Sequence, residues 1–392
     1  MVDLPIYLDN NATTRVDPRV LEAMLPFFSE RYGNAASRSH PFGWAAEDAV
    51  QTARGQVATL IGAGPEEIVW TSGATEADNL AMKGVAEMYA GKGDHIITQA
   101  TEHKAVLDTA RHLEQQGKQV TYLGVDCDGL IDLAELRAAI TDRTVLVSIM
   151  YGSNEIGTLQ PLEEIGQVCR ERGVLFHTDA TQALGKVSID VEAMNIDLLS
   201  CSAHKMYGPK GVGALYVRRR NPRVRLAAQI DGGGHERQMR SGTLNVPGIV
   251  GFGQAAELCR GELPGETARL TRLRDRLRDG LLGRVEGAAL NGHPSRRLPH
   301  NLNLSFADVE SDALLLNLPD IALSSGSACT SASIAPSYVL KAIGLSDAQA
   351  HSSLRFGLSR WTTDEEIDYT VGRVAEAVGR VRALSGPKLA HV

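Results

Sequence analysis

The 392-residue sequence lacks the features that mark secreted, membrane and nucleic-acid-binding proteins. Its five cysteines form no CxxC pair, which disfavours a zinc ribbon or a disulfide framework and favours free thiols in a reducing compartment. No apolar run approaches the roughly 18 residues of a membrane-spanning helix, and the first residues, MVDLPIYLDNNATTR, lack the pattern of a signal peptide. The net charge of −7 offers no basic stripe for nucleic acid. We therefore expect a cytoplasmic protein that binds neither membranes nor nucleic acid directly.

Strand-like and helical patterns alternate between residues 66 and 218. Helical segments such as LEEIGQVCRERG have apolar residues at a spacing of 3.6 and end at a glycine. This alternation predicts an α/β fold with a mostly parallel sheet covered on both faces. The last predicted strand follows its predecessor after a short loop, so it can pair antiparallel. The seven predicted strands are EEIVWTSG, HIITQA, VTYLGV, TVLVSIM, VLFHTDA, DLLSCS and GVGALYV.

A second, smaller α+β domain is predicted after the charged helical segment GETARLTRLRDRLRDGLLGRV. Its strands would be NLNLSF and SLRFGLS, and its final helix would start in TTDEEIDYTV. The length of the chain also favours two domains. We place the large domain at 16–261 and the small domain at 1–15 and 262–392, with a mobile Ser-rich loop at about 324–335.

Polar residues follow five of the predicted strands. In open α/β sheets, ligands bind beyond the carboxyl ends of the strands. One such coincidence would mean little, but five predict a binding site. The residues are Gly73-Ala74-Thr75, Thr101-Glu102-His103, Asn154, Asp179 with Gln182, and His204-Lys205.

Lys205 stands at the end of a predicted buried strand, where an ammonium ion is costly. A lysine whose pKa is lowered can form a Schiff base with an aldehyde, of which pyridoxal phosphate is the common cofactor. Asp179, one strand earlier, could keep the pyridine nitrogen of that cofactor protonated. A solvated loop around Lys205 and a helix N-cap role for Asp179 are the alternatives, and both remain open at this point.

Groups suited to a phosphate lie near these two residues. The stretch Ser72–Thr75 leads from a strand into a helical pattern, and a helix N-terminus favours an anion. Ser202 and His204 can add hydroxyl and imidazole donors. His103 could stack on the cofactor ring and transfer protons, because histidine titrates near neutrality. An ordinary helix cap and a surface histidine are the alternatives.

Cys329 lies in SSGSACTSAS, among small polar residues that would bury it poorly. Inert free cysteines usually have bulky apolar neighbours. Arg355, in SLRFGLSR, offers a planar fork suited to a substrate carboxylate, with a surface ion pair as the alternative. Together the two residues predict a cofactor site that faces a mobile nucleophilic thiol.

The chain resembles the cysteine desulfurases of the bacterial iron–sulfur-cluster and nitrogen-fixation type, which are pyridoxal-phosphate enzymes of the class V aminotransferase group with fold type I. The resemblance implies that L-cysteine is converted to L-alanine and that Cys329 carries a persulfide for iron–sulfur cluster assembly or tRNA thiolation. A selenocysteine lyase, another class V enzyme and a non-catalytic sulfur carrier are the alternatives. The motifs that carry the resemblance are YLDNNATT, FGNAASRSH, TSGATEADN, TEHKAV, SNEIG, HTDATQALGK, SAHKMYGPKGVGALYVRR, GGGHERQMRSGT, SSGSACTSAS and SSLRFGLSRWTTDEEID.

The same resemblance implies a role for each site residue and for a partner. Lys205, Cys329 and His103 would be catalytic, and Asn154 with Arg355 would bind the substrate carboxylate. Cys329 would also ligate a transient iron–sulfur cluster shared with a scaffold protein, which is one of the expected sulfur acceptors. The chain would form a homodimer, in which Thr243 reaches the cofactor of the partner subunit. The implied cofactor-binding residues are Ala74, Thr75, His103, Asn154, Asp179, Gln182, Ser202, His204, Lys205 and Thr243.

Overall fold

The computed structural model describes residues 2–325 and 335–385. The strands are β1 Ile6–Tyr7, β2 Ile68–Thr71, β3 His95–Gln99, β4 Gln119–Leu123, β5 Thr144–Ser148, β6 Leu175–Asp179, β7 Leu198–Ser202, β8 Gly213–Val217, β9 Ala288–Leu290, β10 Asn301–Phe306, β11 Ile321–Ala322, β12 Ser324–Ser325 and β13 Ser353–Gly357. The helices are α1 Pro18–Met24, α2 Pro26–Ser29, α3 Pro41–Leu60, α4 Ala74–Met88, α5 Lys104–Gln115, α6 Leu133–Ala139, α7 Leu162–Arg172, α8 Val246–Arg284, α9 Ser311–Leu316, α10 Tyr338–Ala342, α11 Asp347–His351 and α12 Asp364–Ser385.

The central sheet has seven strands in the order β2-β8-β7-β6-β5-β3-β4. The neighbours from β7 to β4 pair in parallel, whereas β8 is antiparallel to both β7 and β2. Six of the seven strands therefore run the same way, and their carboxyl ends meet at one edge. The predicted α/β class, the seven strands and the antiparallel pairing of the last one are confirmed.

Two smaller sheets lie outside the central one. The antiparallel sheet β12-β13-β10-β9 contains the predicted strands NLNLSF and SLRFGLS. The parallel pair β1-β11 joins the start of the chain to residues 321–322. The final helix, predicted to start in TTDEEIDYTV, continues as far as Ser385. The tail from residue 386 and the centre of the Ser-rich loop, with Cys329, lie outside the described residues.

Separate hydrophobic clusters cover the faces of the central sheet and fill the space around the small antiparallel sheet. Helix α8 contributes to two of them: Phe252 and Ala256 pack in the large cluster, whereas Leu270 and Leu277 pack with α12 and the small sheet. The charged helical segment GETARLTRLRDRLRDGLLGRV of the sequence analysis forms the second half of this 39-residue helix. The domain boundaries at 15/16 and 261/262 stay a prediction.

Within the described ranges, no helix is long and apolar enough to span a bilayer.

Candidate active site

A cavity of about 630 Å³ lies at the carboxyl edge of the central sheet, and we call it the site cavity. All five predicted strand ends contribute to it, as ligand binding in open α/β sheets requires. Its lining residues are Asn11, Ala12, Thr13, Ser72, Gly73, Ala74, Thr75, Glu76, His103, Met150, Gly152, Asn154, Asp179, Thr181, Gln182, Ser202, His204, Lys205, Lys210, Gly211 and Arg355.

The N-terminus of α4 forms one wall of the site cavity. Gly73 precedes the helix, and Gly213 on β8 lies so close that a Cβ atom there would come within 2.7 Å of the Gly73 Cα atom. The backbone of β8 can approach the backbone at Gly73 this closely only because residue 213 is a glycine. The first N–H groups of a helix have no acceptor within the helix, so this wall favours an anion. Ala74 and Thr75 occupy its first two positions.

Lys205 ends a short 3-10 turn, Ala203–Lys205, that follows β7 directly. Its Nζ atom donates hydrogen bonds to the carbonyl oxygen of Asn11 at 2.5 Å and to that of Ala12 at 2.7 Å. The side chain is half-buried in the site cavity. A freely solvated loop around Lys205 is therefore the wrong interpretation.

His204 and Ser202 lie beside Lys205. The ring nitrogen Nδ1 of His204 is 3.1 Å from Thr13 Oγ1. Burial and then the charges of Lys205 and Lys210 lower the pKa of His204 to about 4. The ring is therefore neutral near pH 7, and the two lysines make this part of the cavity electropositive. Ser202 is buried at the end of β7, with its hydroxyl donating to Val212 O at 3.4 Å.

Asp179 ends β6 and is buried at the floor of the site cavity. Its Oδ1 atom accepts a hydrogen bond from the Thr181 N–H at 2.9 Å, which is the bond that a helix cap would make. The residues that follow Asp179 form turns and no helix, so the helix N-cap alternative is wrong. Gln182 lies next to it and donates to Asn11 O at 2.9 Å, while Asn11 Nδ2 donates back to Gln182 Oε1 at 3.2 Å. Asn11 O therefore accepts from both Gln182 and Lys205.

His103 is the N-cap of α5, where its Nδ1 atom accepts a hydrogen bond from the Ala105 N–H at 3.1 Å. It also lines the site cavity, so the cap and the site residue are the same side chain. Burial lowers the pKa of His103, with Asp179 opposing and Lys205 adding to the shift. The imidazole is consequently neutral at physiological pH.

Arg355 comes from β13 and reaches the site cavity from the small sheet. It donates to Asn154 O at 3.1 Å and to Asp9 Oδ1 at 2.9 Å. Its side chain is 3% exposed, so the alternative of a surface ion pair is wrong. The Nε atom is buried without a hydrogen-bond partner in the described part of the chain. Arg355 therefore keeps a donor available beside Asn154.

Thr243 is the one cofactor-binding candidate that does not line the site cavity. It is exposed in the loop before α8. That loop is anchored by an ion pair between Arg240 and Glu76 at 2.7 Å, and Glu76 directly follows Thr75. The predicted contact of Thr243 with a partner subunit stays a prediction. Cys329 lies outside the described residues, and so does its predicted cluster ligation.

Three buried ionisable residues, which we call the carboxylate layer, lie under the site cavity: Asp78, Glu102 and His177. Glu102 was among the predicted strand-end residues, whereas Asp78 and His177 were missed from the sequence. Neither carboxylate oxygen of Asp78 has a hydrogen-bond partner in residues 2–325 and 335–385, and His177 Nε2 is 3.7 Å away. Burial and then the charge of Asp179 raise the pKa of Asp78 well above its usual range. The sequence held a signal for His177. This residue lies two positions before Asp179 on the same strand, so both side chains point to the same face of the sheet.

No group of three or more His, Cys, Asp or Glu residues that could hold a metal ion occurs in the part of the chain that the structure covers.

Residues 6–370 match the model of the aminotransferase class-V family. The cysteine desulfurase IscS of Anaeromyxobacter dehalogenans (strain 2CP-C) is 60% identical over 382 residues, which cover 97% of this chain and 94% of that protein. A solved NifS-like protein has a TM-score of 0.89 at 39% identity and covers 96% of this chain and 100% of its own. The solved SspA in complex with cysteine has a TM-score of 0.81 at 39% identity, with 91% and 100% covered.

The chain therefore belongs to the aminotransferase class-V family and, within it, to the cysteine desulfurases. Enzymes of this family depend on pyridoxal phosphate, and the α/β architecture described above is their fold type I. The resemblance drawn from the sequence motifs is confirmed.

Proposed function

We propose that this cysteine desulfurase binds pyridoxal phosphate and L-cysteine in the site cavity and releases L-alanine after taking the sulfur. The observation that carries the proposal is one cavity that joins the Lys205 amine, the Asp179 carboxylate, the His103 imidazole and the N-terminus of α4. Each is a group that pyridoxal-phosphate chemistry requires. The complex of the SspA relative with cysteine supports the choice of substrate.

The phosphate of the cofactor fits the wall made by α4. The helix N-terminus at Ala74 and Thr75 offers free N–H groups and the positive end of the dipole. Ser202 and the neutral His204 add donors from the neighbouring strand end, and the charges that lower the His204 pKa attract an anion. Thr243 of a second subunit would complete these contacts in the homodimer.

The ring of the cofactor fits between Asp179 and His103. Asp179 would hold the pyridine nitrogen protonated, Gln182 would contact the ring hydroxyl, and His103 would stack on the ring face. Lys205 would hold the cofactor covalently through Nζ. When bound, pyridoxal phosphate supplies an electron sink for the substrate Cα. Asn154 and the available Arg355 donor would bind the substrate carboxylate.

Lys205 would also accept the proton from the substrate Cα. An ammonium ion then forms in a half-buried place, where it needs hydrogen-bond acceptors. The carbonyl oxygens of Asn11 and Ala12, at 2.5 and 2.7 Å from Nζ, are such acceptors. They would stabilise the protonated amine through hydrogen bonds.

Cys329 would receive the sulfur. Its thiolate attacks the substrate sulfur, the Sγ–S bond forms, and the S–Cβ bond breaks with its electron pair remaining on the carbon product. His103, neutral because burial lowers its pKa, would accept a thiol proton. The persulfide left on Cys329 would pass its sulfur to an iron–sulfur cluster scaffold or to another acceptor, such as a tRNA-thiolation protein.

A homodimer in the cytoplasm is the setting we propose. Exposed aromatic side chains group near the start of the chain: Phe28 is 61% exposed, Tyr32 65% and Trp44 57%. Apolar surface of this kind favours an interface, and a second copy of the chain is the occupant that would also supply Thr243. The free thiols of the described cysteines fit a reducing compartment. Sedimentation of the holoenzyme measures the subunit number.

Borohydride reduction of the holoenzyme followed by peptide mass mapping tests the site, and the adduct should lie on Lys205. Cys329→Ser should keep the visible absorbance of the cofactor and lose sulfide release from L-cysteine. Cys127→Ser is the matched control, because Cys127 is an exposed free thiol, and it should keep both properties. Unchanged sulfide release in Cys329→Ser would contradict the role of that thiol. Kinetics with L-cysteine and L-selenocysteine in competition measure which substrate the enzyme prefers, and so test the selenocysteine lyase alternative.

A further inference from the structure

The segment that carries Cys329 begins, at its N-terminal end, next to Arg355. Ser324, on β12, pairs with Arg355 on β13. The Ser324 hydroxyl donates a hydrogen bond to Asp9 Oδ1 at 2.8 Å, and the same oxygen accepts from Arg355 Nη2 at 2.9 Å. One carboxylate therefore joins the start of the segment to the arginine proposed to bind the substrate carboxylate.

The segment returns to the described part of the chain beside Asn154. Ser337 is buried and donates from its hydroxyl to Glu155 Oε2 at 2.5 Å. The same hydroxyl accepts from the Leu340 N–H at 3.2 Å and so caps α10. Glu155 directly follows Asn154, whose carbonyl oxygen accepts a hydrogen bond from Arg355 Nη1 at 3.1 Å.

A second contact supports the returning end. The Tyr338 hydroxyl donates to the carbonyl oxygen of Glu102 at 2.6 Å, and Glu102 directly precedes His103. Both ends of the segment are thus bonded to residues that touch or adjoin site residues. Arg355 and Glu155 are buried, so water competes little for the hydrogen bonds that they make.

We propose that Asp9 and Glu155 are positioning residues that tie the two ends of the Cys329 segment to Arg355. This inference rests on the proposed function, because it assigns these links to the placement of the thiol against a substrate held at Arg355. Placement of a nucleophile is a large part of catalysis, and a displacement of about 1 Å can cost on the order of 100-fold in rate. The links therefore act on kcat rather than on cofactor binding.

Ser337→Ala in the holoenzyme tests the returning link. It should lower kcat for sulfide release by about tenfold or more while KM for L-cysteine and the visible absorbance stay unchanged. Ser337→Thr keeps the hydroxyl and should restore kcat. Ser346→Ala is the matched control, because Ser346 caps α11 with the same geometry, at 3.3 Å from the Gln349 N–H, and its hydroxyl bonds within that helix turn. It should retain the wild-type kcat.

The outcomes separate the two proposals. Wild-type kcat in Ser337→Ala, or a raised KM at unchanged kcat, would overturn the positioning role and leave the proposed function standing. A wild-type enzyme that forms no L-alanine from L-cysteine would overturn the proposed function itself. If Ser337→Ala unfolds more easily than Ser346→Ala, Ser337→Thr decides, since a folded threonine variant without restored kcat contradicts the inference.

Discussion

Two buried groups of ionisable side chains near Lys205 balance their charge in opposite ways. The carboxylate layer beneath the site cavity contains Asp78 and Glu102, both fully buried and without a cationic partner among the described residues. The second group, which we call the Tyr207 cluster, consists of Lys186, Tyr207, Glu266 and Arg360. The difference shows which charges serve the site and which hold the chain together.

The carboxylate layer avoids charge by staying protonated. Burial raises the pKa of Asp78 and of Glu102 well above the usual range of a carboxyl group, and Asp179 adds to both shifts. His177 is neutral as well, since burial lowers its pKa to about 3. Asp179, which adds to both shifts, lines the site cavity above this layer.

The Tyr207 cluster balances its charges by pairing them. Glu266 accepts from the Tyr207 hydroxyl at 2.7 Å and forms ion pairs with Lys186 at 3.4 Å and Arg360 at 3.0 Å. Lys186 Nζ and Arg360 Cζ also lie 3.6 and 4.0 Å from the centre of the Tyr207 ring, within the range of cation–π attraction. This cluster connects the loop that follows Lys205 with helix α8 and with the end of β13.

The largest effect is expected from Glu266→Gln. This change removes the anion between two buried cations and should cost about 3–5 kcal/mol of unfolding free energy, measured by urea denaturation of the holoenzyme. Glu262→Gln is the control, because Glu262 contacts the same Arg360 at 3.2 Å but its side chain is 39% exposed. That variant should lose less than about 1 kcal/mol. Equal losses in both variants would contradict the importance of burial in the Tyr207 cluster.

A pH-dependent effect of intermediate size is expected from Glu155. Burial raises its pKa to about 7, against the hydrogen bond from Ser337 and the charges of Arg355 and Lys104. The protonated form is favoured in the fold, so this contribution to stability is complete below the ordinary pKa of a glutamate and disappears as the pH rises through about 7.

Glu155→Gln should therefore flatten the fall in unfolding free energy between about pH 5 and about pH 8, by about 3 kcal/mol. The exposed Glu87→Gln serves as the control and should leave the pH profile unchanged. A Glu155→Gln profile as steep as that of the wild type would show that another group titrates.

The smallest effect is expected from Asp78→Asn. Asparagine has the shape of a protonated aspartate, so this substitution in the carboxylate layer should change the unfolding free energy by less than about 1 kcal/mol. Thermal unfolding of Asp78→Asn and Glu266→Gln under the same conditions compares the two losses of stability directly. A loss as large as that of Glu266→Gln would mean that Asp78 is charged in the folded protein.

The sequence by itself determined the strands, the connecting helices and the residues at the strand ends. Strand and helix periodicity is a local property, and in an open α/β sheet the carboxyl ends of parallel strands meet at one edge. Lys205, Asp179 and His103 could therefore be assigned to one site before any contact was known.

Only the tertiary structure decided how charge is distributed around that site. Asp9 and Arg355 are 346 positions apart in the chain, and their ion pair depends on how the first residues pack against β13. The protonation of Asp78 depends on the burial of α4 against the sheet, which sequence neighbours do not reveal. Burial and long-range pairing are properties of the whole fold, and they fix which ionisable groups remain charged.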